Sequence, residues 1–255
     1  MIKVEKIKKI VKLCLVSTKI KNMKPLSLLV VAKAGSGKTE LIMSYEDKSL
    51  DFITDLNYSS LIEKLKDNKG IKSIIIPDFI KITHKKSSTS KNLISLLNSA
   101  TEEGLFNVEG YYKHNFKGRQ LGLITSITNG TLGQVKQEWG NIGFLDRMII
   151  CSYSYSKETI KEILKSICEE GEKKVKREKL NIPIKNKKSG IEVTSEYKFN
   201  FQLIDFAKDN PRALKNMKRL LRCNALINGR TKVNQNDVDE IKDLSKFLNL
   251  KRTEL

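Results

Sequence analysis

The stretch Ala32-Lys33-Ala34-Gly35-Ser36-Gly37-Lys38-Thr39 decides how the rest of the chain is read. An apolar run, Leu26-Ser27-Leu28-Leu29-Val30-Val31, leads into it, and the helix-like segment Glu40-Leu41-Ile42-Met43-Ser44-Tyr45 comes after it. Strand, glycine-rich loop and helix in that order make a phosphate-binding loop. Gly35 and Gly37 let the backbone curl so that successive N–H groups face one anion. The helix start behind them adds partial positive charge. In that geometry Ala34, Gly35, Ser36, Gly37, Lys38, Thr39 and Glu40 cradle the phosphates of ATP. Lys38 reaches the β- and γ-phosphates, and the Thr39 hydroxyl sits on Mg²⁺. Ala32 stands where the strict motif has glycine.

The flanking sequence supplies what such a loop needs. Ser73-Ile74-Ile75-Ile76-Pro77-Asp78 reads as a buried parallel strand that delivers a carboxylate to the Mg²⁺ shell opposite the loop. Between them lie a strand at Phe52–Leu56 and a helix at Tyr58–Lys66, with Leu61, Ile62 and Leu65 on one side. Beyond Asp78 come a helix at Lys91–Glu103, then strands at Phe106–Tyr112 and Arg119–Ile127. The link Lys113-His114-Asn115-Phe116-Lys117-Gly118 makes the two strands a hairpin with Lys113, His114, Lys117 and Arg119 at its tip. Another apolar strand spans Met148–Tyr153. Strands alternating with helices predict a parallel α/β sheet flanked by helices. After Ser156 the chain turns helical: Lys157–Glu170, Phe199–Lys208, Pro211–Asn228 and Gln235–Leu248. Asn234 suits the N-cap of the last of these, and Pro211 the first turn of the one before it. At the other end, Val4–Ser17 reads as a helix packing an Ile/Val/Leu face on the α/β domain.

The 255 residues carry a formal net charge of +19. That balance favours an acidic partner, most simply nucleic acid, although the lysine-rich composition also fits a biased genome. Residues 173–188 hold eight lysines and arginines against Glu178 and are a second candidate basic surface. Cys14, Cys151, Cys168 and Cys223 form no CxxC pair and read as reduced cysteines of an intracellular, cytoplasmic protein. His84 and His114 stand alone, which argues against a zinc site. No apolar run has membrane-spanning length, and the basic amphipathic start lacks the features of a signal peptide.

These motifs together resemble the AAA+ ATPases. Ala32–Thr39 is similar to their Walker A loop and Ser73–Asp78 to Walker B. Leu123–Asn129 is similar to the sensor 1 strand, with Asn129 at its polar end and Thr125, Ser126 and Thr128 as competitors. Gly143-Phe144-Leu145-Asp146-Arg147 resembles the arginine-finger segment, and Pro211-Arg212-Ala213-Leu214 the lid helix with sensor 2 at Arg212. The resemblance implies an N-terminal helix and linker over 1–24, a nucleotide-binding αβ domain over 25–155 and a helical lid over 156–255. It also implies ATP and Mg²⁺ as ligands, with Lys38, Asp78, Asn129, Arg147 and Arg212 around the reacting phosphate. The resemblance further implies assembly of subunits into a six-membered ring or spiral. The hairpin at about 106–122 is similar to the pre-sensor-1 hairpin of MCM-like helicases and MoxR-like ATPases. In the helicases of that clade it meets DNA, which implies DNA contact through Lys113, Lys117 and Arg119 here. The chain departs from the family at Phe79, where the hydrolytic glutamate normally stands after the Walker B aspartate. Two functions remain open: an oligomeric, DNA-acting motor or loader, and an ATP-dependent switch or scaffold that hydrolyses slowly or not at all.

Overall fold

A computed structural model describes residues 2–83, 87–108, 114–170, 177–184, 190–207 and 210–249. In chain order the elements are α1 (Ile2–Val16), β1 (Leu28–Ala32), α2 (Lys38–Ile42), β2 (Tyr45–Glu46), β3 (Leu50–Phe52) and α3 (Tyr58–Asp67). Then come β4 (Ser73–Ile76), α4 (Ile80–Thr83), α5 (Ser87–Asn98), β5 (Leu105–Val108), β6 (His114–Arg119), β7 (Gly122–Thr128) and α6 (Asn129–Asn141). The remainder is β8 (Ile149–Ser152), α7 (Lys157–Glu170), β9 (Glu178–Lys179), α8 (Tyr197–Phe201), α9 (Pro211–Ile227) and α10 (Gln235–Ser245).

Five strands form one parallel sheet in the order β3-β4-β7-β1-β8. Alternation along each strand divides the core. Leu28, Val30, Ile75, Ile124 and Cys151 face α1, α9 and α10; Leu29, Val31, Ile74, Ile76 and Leu123 face α3, α5 and α6. Helix α1 does more than present one apolar stripe. Ile7, Ile10, Val11, Leu13, Cys14, Leu15 and Val16 are all buried in the core that joins the sheet to α9 and α10. The C-terminal helices are tied to the sheet edge as well. Ser152 N–H donates to Phe247 O at 3.0 Å and Asn249 N–H to Ile150 O at 2.9 Å, so residues 247–249 run antiparallel beside β8.

Several boundaries differ from the sequence expectation, each for a local reason. The helix behind the glycine loop is only five residues, Lys38–Ile42, because Tyr45 and Glu46 leave it to pair with Glu178 and Lys179. The link expected to turn the hairpin is itself strand: His114–Arg119 pairs antiparallel with Leu105–Val108. Gly104 and Gly118 meet at the base of this pair, where a Cβ on Gly104 would lie 2.5 Å from Gly118 O. Lys117 and Arg119 therefore stand on the returning strand and not at a tip, and Lys113 lies outside the described residues. So does most of the basic segment, at 173–176 and 185–188. Helix α6 was hidden in the sequence by Gly130 and Gly133, which blur its apolar period. Helix α7 keeps its expected span, yet none of its described side chains is buried, and Ile160 and Leu164 face outward.

Candidate functional site

The parallel register brings the candidates that follow β1, β4 and β7 to the carboxyl edge of the sheet. Ala32, Thr128 and Ser152 end neighbouring strands, and Ile76 pairs with Thr125 beside them. Beyond those ends lie the glycine loop, Asp78, Asn129 and the pair Tyr153 and Tyr155. Crevices at the carboxyl ends of parallel strands are the usual ligand sites of open α/β sheets.

The loop leaves β1 exposed and turns on Gly35 and Gly37, both left-handed at φ +70° and +74°. A side chain at either position would be strained, which is the physical demand for glycine here. The loop's carbonyls are held back. Lys33 O accepts from the Ser36 hydroxyl and from Lys38 Nζ, each at 2.7 Å. Ser36 O accepts from the Tyr153 hydroxyl at 2.8 Å and the Tyr155 hydroxyl at 3.1 Å. Among the described residues nothing accepts from the amide N–H groups of Gly37, Lys38 or Thr39. Desolvation lowers the Lys38 pKa, opposed by the negative charges of Asp78 and Glu40. Those two carboxylates are thus the charges that Lys38 feels.

The segment carrying Asp78 is braced by β7. Thr125 Oγ1 donates to Ile76 O at 2.7 Å, Ser126 Oγ to Pro77 O at 2.6 Å, and Phe79 N–H to Ser126 O at 3.0 Å. Asp78 itself is exposed, accepting from Ile80 N–H at 3.1 Å. These bonds also separate the competitors for the sensor role. Thr125 and Ser126 are buried bracing residues, and Thr128 caps α6 by accepting from Thr131 N–H. Asn129 is the exposed member of the four. Thr39 and Asp78 are oxygen-bearing side chains of the type Mg²⁺ takes, an ion that needs one or two protein ligands and fills its shell with phosphate and water. Clusters of three or more metal-ligating side chains are absent among the described residues.

Phe79 explains the missing acid. Its side chain is fully buried, stacked on Phe144 at 5.5 Å and edge-on to Trp139 at 5.2 Å. Position 79 faces this three-ring core and not the loop. Glu102 and Glu103 do not take the acid's place, because they lie at the opposite, amino-terminal edge of the sheet. There Leu121 N–H, just before β7, donates to Ala100 O.

The arginines cluster at that same amino-terminal edge. Arg147 donates to Gly143 O at 2.7 Å and to the Glu103 carboxylate at 3.0 Å. Its Nε is buried without a partner among the described residues. Burial of the Glu103 carboxyl opposes ionisation, but the hydrogen bonds from Arg147 and from the backbone, together with the charges of Arg147 and Lys24, hold the pKa down. Arg212 lies 4.0 Å from Asp146. Asp146 lies in the turn before β8, and the strand Ile149–Ser152 alone, at about 3.3 Å per residue, sets about 10 Å between that turn and Ser152. The structure does not bring Arg212 to the glycine loop. Arg119 closes the end of α3, donating to Leu65 O, Asn68 O and Ile71 O at 2.6, 2.9 and 2.6 Å. Lys117 is exposed.

The sequence reading missed the two tyrosines; an aromatic pair two residues apart after a core strand carries no motif. Among the described residues no helix is long and apolar enough to cross a membrane. Comparison of the sequence with models of known protein families and with curated proteins found no match.

Proposed function

We propose that this chain binds Mg-ATP on the loop Ala34–Glu40, is a member of the AAA+ ATPases, and works as a nucleotide-dependent switch that assembles with ATP and hydrolyses it slowly. One observation carries the nucleotide reading. A left-handed glycine loop at the end of a central parallel strand carries Lys38, and Asp78 from the next strand but one is a charge that Lys38 feels. A loop amide array, a lysine and a carboxylate beside a Thr hydroxyl are the parts that bind Mg-triphosphate. Helix α2 has five residues, so its dipole contributes little, and the loop amides and Lys38 do the binding. Asn129 supplies an amide to the γ-phosphate.

Slow hydrolysis is the consequence of Phe79. A general base must come within hydrogen-bond reach of the attacking water, and position 79 is committed to the aromatic core. For Arg147 to reach a neighbouring subunit's nucleotide, it must leave Glu103 and Gly143. Assembly into a hexamer-like ring or spiral would therefore be coupled to breaking that ion pair.

A second reading, an oligomeric motor or loader on DNA, is favoured by the charge of +19 and the exposed Lys117 on the hairpin. ATP turnover, measured alone and with single- and double-stranded DNA, separates the two. Slow turnover that DNA leaves unchanged supports the switch. Strong stimulation by DNA, lost in Lys117→Ala, supports the motor. Light scattering that shows a strict monomer at high protein and ATP contradicts assembly in both.

A further inference from the structure

We propose that Tyr153 and Tyr155 are positioning residues of the nucleotide loop, acting through the Ser36 carbonyl to aim the Gly37 N–H at bound phosphate. The proposal rests on the ATP reading above. Both hydroxyls donate to one oxygen, Ser36 O, at 2.8 and 3.1 Å. A peptide unit is planar and trans, so its C=O and N–H point in opposite directions. Fixing the Ser36 carbonyl toward the tyrosines therefore turns the Gly37 N–H the other way, out of the β8 side of the loop.

Glycine makes such a device necessary. Gly35 and Gly37 give the loop its left-handed turns, but glycine also leaves the backbone free to rotate. A peptide that flipped would present its carbonyl to the phosphate, replacing attraction by repulsion. Two acceptor bonds on one oxygen oppose that flip before any ligand arrives, and preorganisation of this kind lowers the cost of binding. The clamp is itself rigid. The rings meet edge-on at 5.5 Å, and Tyr153 is buried directly after β8. Burial raises the pKa of both hydroxyls, so both stay protonated donors through neutral and mildly alkaline pH. Tyr155 also stands beside the loop's turning point: a Cβ on Gly37 would lie 4.0 Å from its hydroxyl. Lys33 O has its own second donor in Ser36 Oγ, so it remains turned inward when Lys38 moves to the phosphates.

The test removes the hydroxyls and keeps the rings. Each of Tyr153→Phe and Tyr155→Phe should weaken Mg-ATP affinity about fivefold to tenfold, as expected for one hydrogen bond. The double variant should lose more, with a melting temperature close to wild type. Hydrogen exchange at residues 35–39 should quicken while exchange in β1 and β7 is unchanged, which a purely structural role would not produce. Should the double variant fold poorly, half-exposed Tyr155 alone decides the matter. If Tyr155→Phe folds, binds ATP as wild type does and keeps the slow loop exchange, while Lys38→Ala has lost binding, the clamp is refuted and the loop reading stands. If wild type binds no ATP, the loop reading fails and the clamp falls with it.

Discussion

The two edges of the parallel sheet treat their cations in opposite ways. At the carboxyl edge Lys38 has one light hold, the Lys33 carbonyl, and stands in an exposed loop with Asp78 and Asn129 nearby. At the amino edge Arg119 satisfies three carbonyls and Arg147 a carbonyl and a carboxylate. Arginine's fixed fork suits it to closing chain ends in this way, whereas lysine's single point charge can leave one oxygen for another. A cation's place in the fold, more than its identity in a motif, thus decides whether it serves structure or ligand. The expectation from this contrast is that removing Arg119 costs stability and leaves nucleotide binding alone, while removing Lys38 does the reverse.

The largest test is Phe79→Ala. Emptying a fully buried ring beside Trp139 and Phe144 should cost about 3–5 kcal/mol in chemical denaturation. Phe79→Glu should be at least as damaging and restore no hydrolysis, because the carboxylate would enter the aromatic core. Phe79 thus shows that the carboxyl edge also holds core residues, and a folded Phe79→Glu protein with brisk ATP turnover would contradict slow hydrolysis. Next is Arg119→Ala, which strands three carbonyls and should cost about 2 kcal/mol. Its DNA affinity, at any salt concentration, should match wild type. A loss of DNA binding with unchanged stability would return Arg119 to the hairpin's ligand surface.

The smallest effect concerns acid. Hydrogen bonds from Lys246 and Lys6 hold the Asp243 carboxyl down to about 2, and the Lys6 bond ties α10 to α1. A depressed carboxyl stabilises the fold above its ordinary pKa of about 3.9 and stops doing so as pH falls through its folded value. Denaturation midpoints of wild type and Asp243→Asn should therefore differ slightly above about pH 4 and converge toward pH 2. A difference that grows with acidity would contradict this assignment. The Lys6 and Asp243 side chains are each more than a third exposed, so solvent screens the pair and the effect is small.

Legibility in the sequence tracked the strength of its local signals. The glycine loop, the strand before Asp78 and α9 behind its Asn210 cap were visible because residue type and position agree there. Asn210 does accept from Arg212 N–H and Ala213 N–H. The contribution of α1 to the joint core was only partly visible: a helical period shows which face is apolar, not that both the sheet and α9 will cover it. The ends of the sheet were harder still. Arg119, Arg147 and Arg212 carry no sequence mark of their partners, which lie between 44 and 66 residues away for Arg147–Glu103 and Arg212–Asp146 and about 50 for Arg119. Nor does anything local to Tyr153 and Tyr155 point to Ser36, more than a hundred residues earlier.

The central claim is that Lys38 and its glycine loop bind Mg-ATP, and calorimetric titration of ATP into wild type and Lys38→Ala, each with its melting curve, tests it most directly. Wild type should bind, and Lys38→Ala should lose affinity by more than about tenfold at an unchanged melting temperature. Wild-type binding should also weaken on the alkaline side sooner than an ordinary lysine would titrate, because burial lowers the Lys38 pKa. Wild type that binds no ATP, or a folded Lys38→Ala that binds it equally well, would contradict the account.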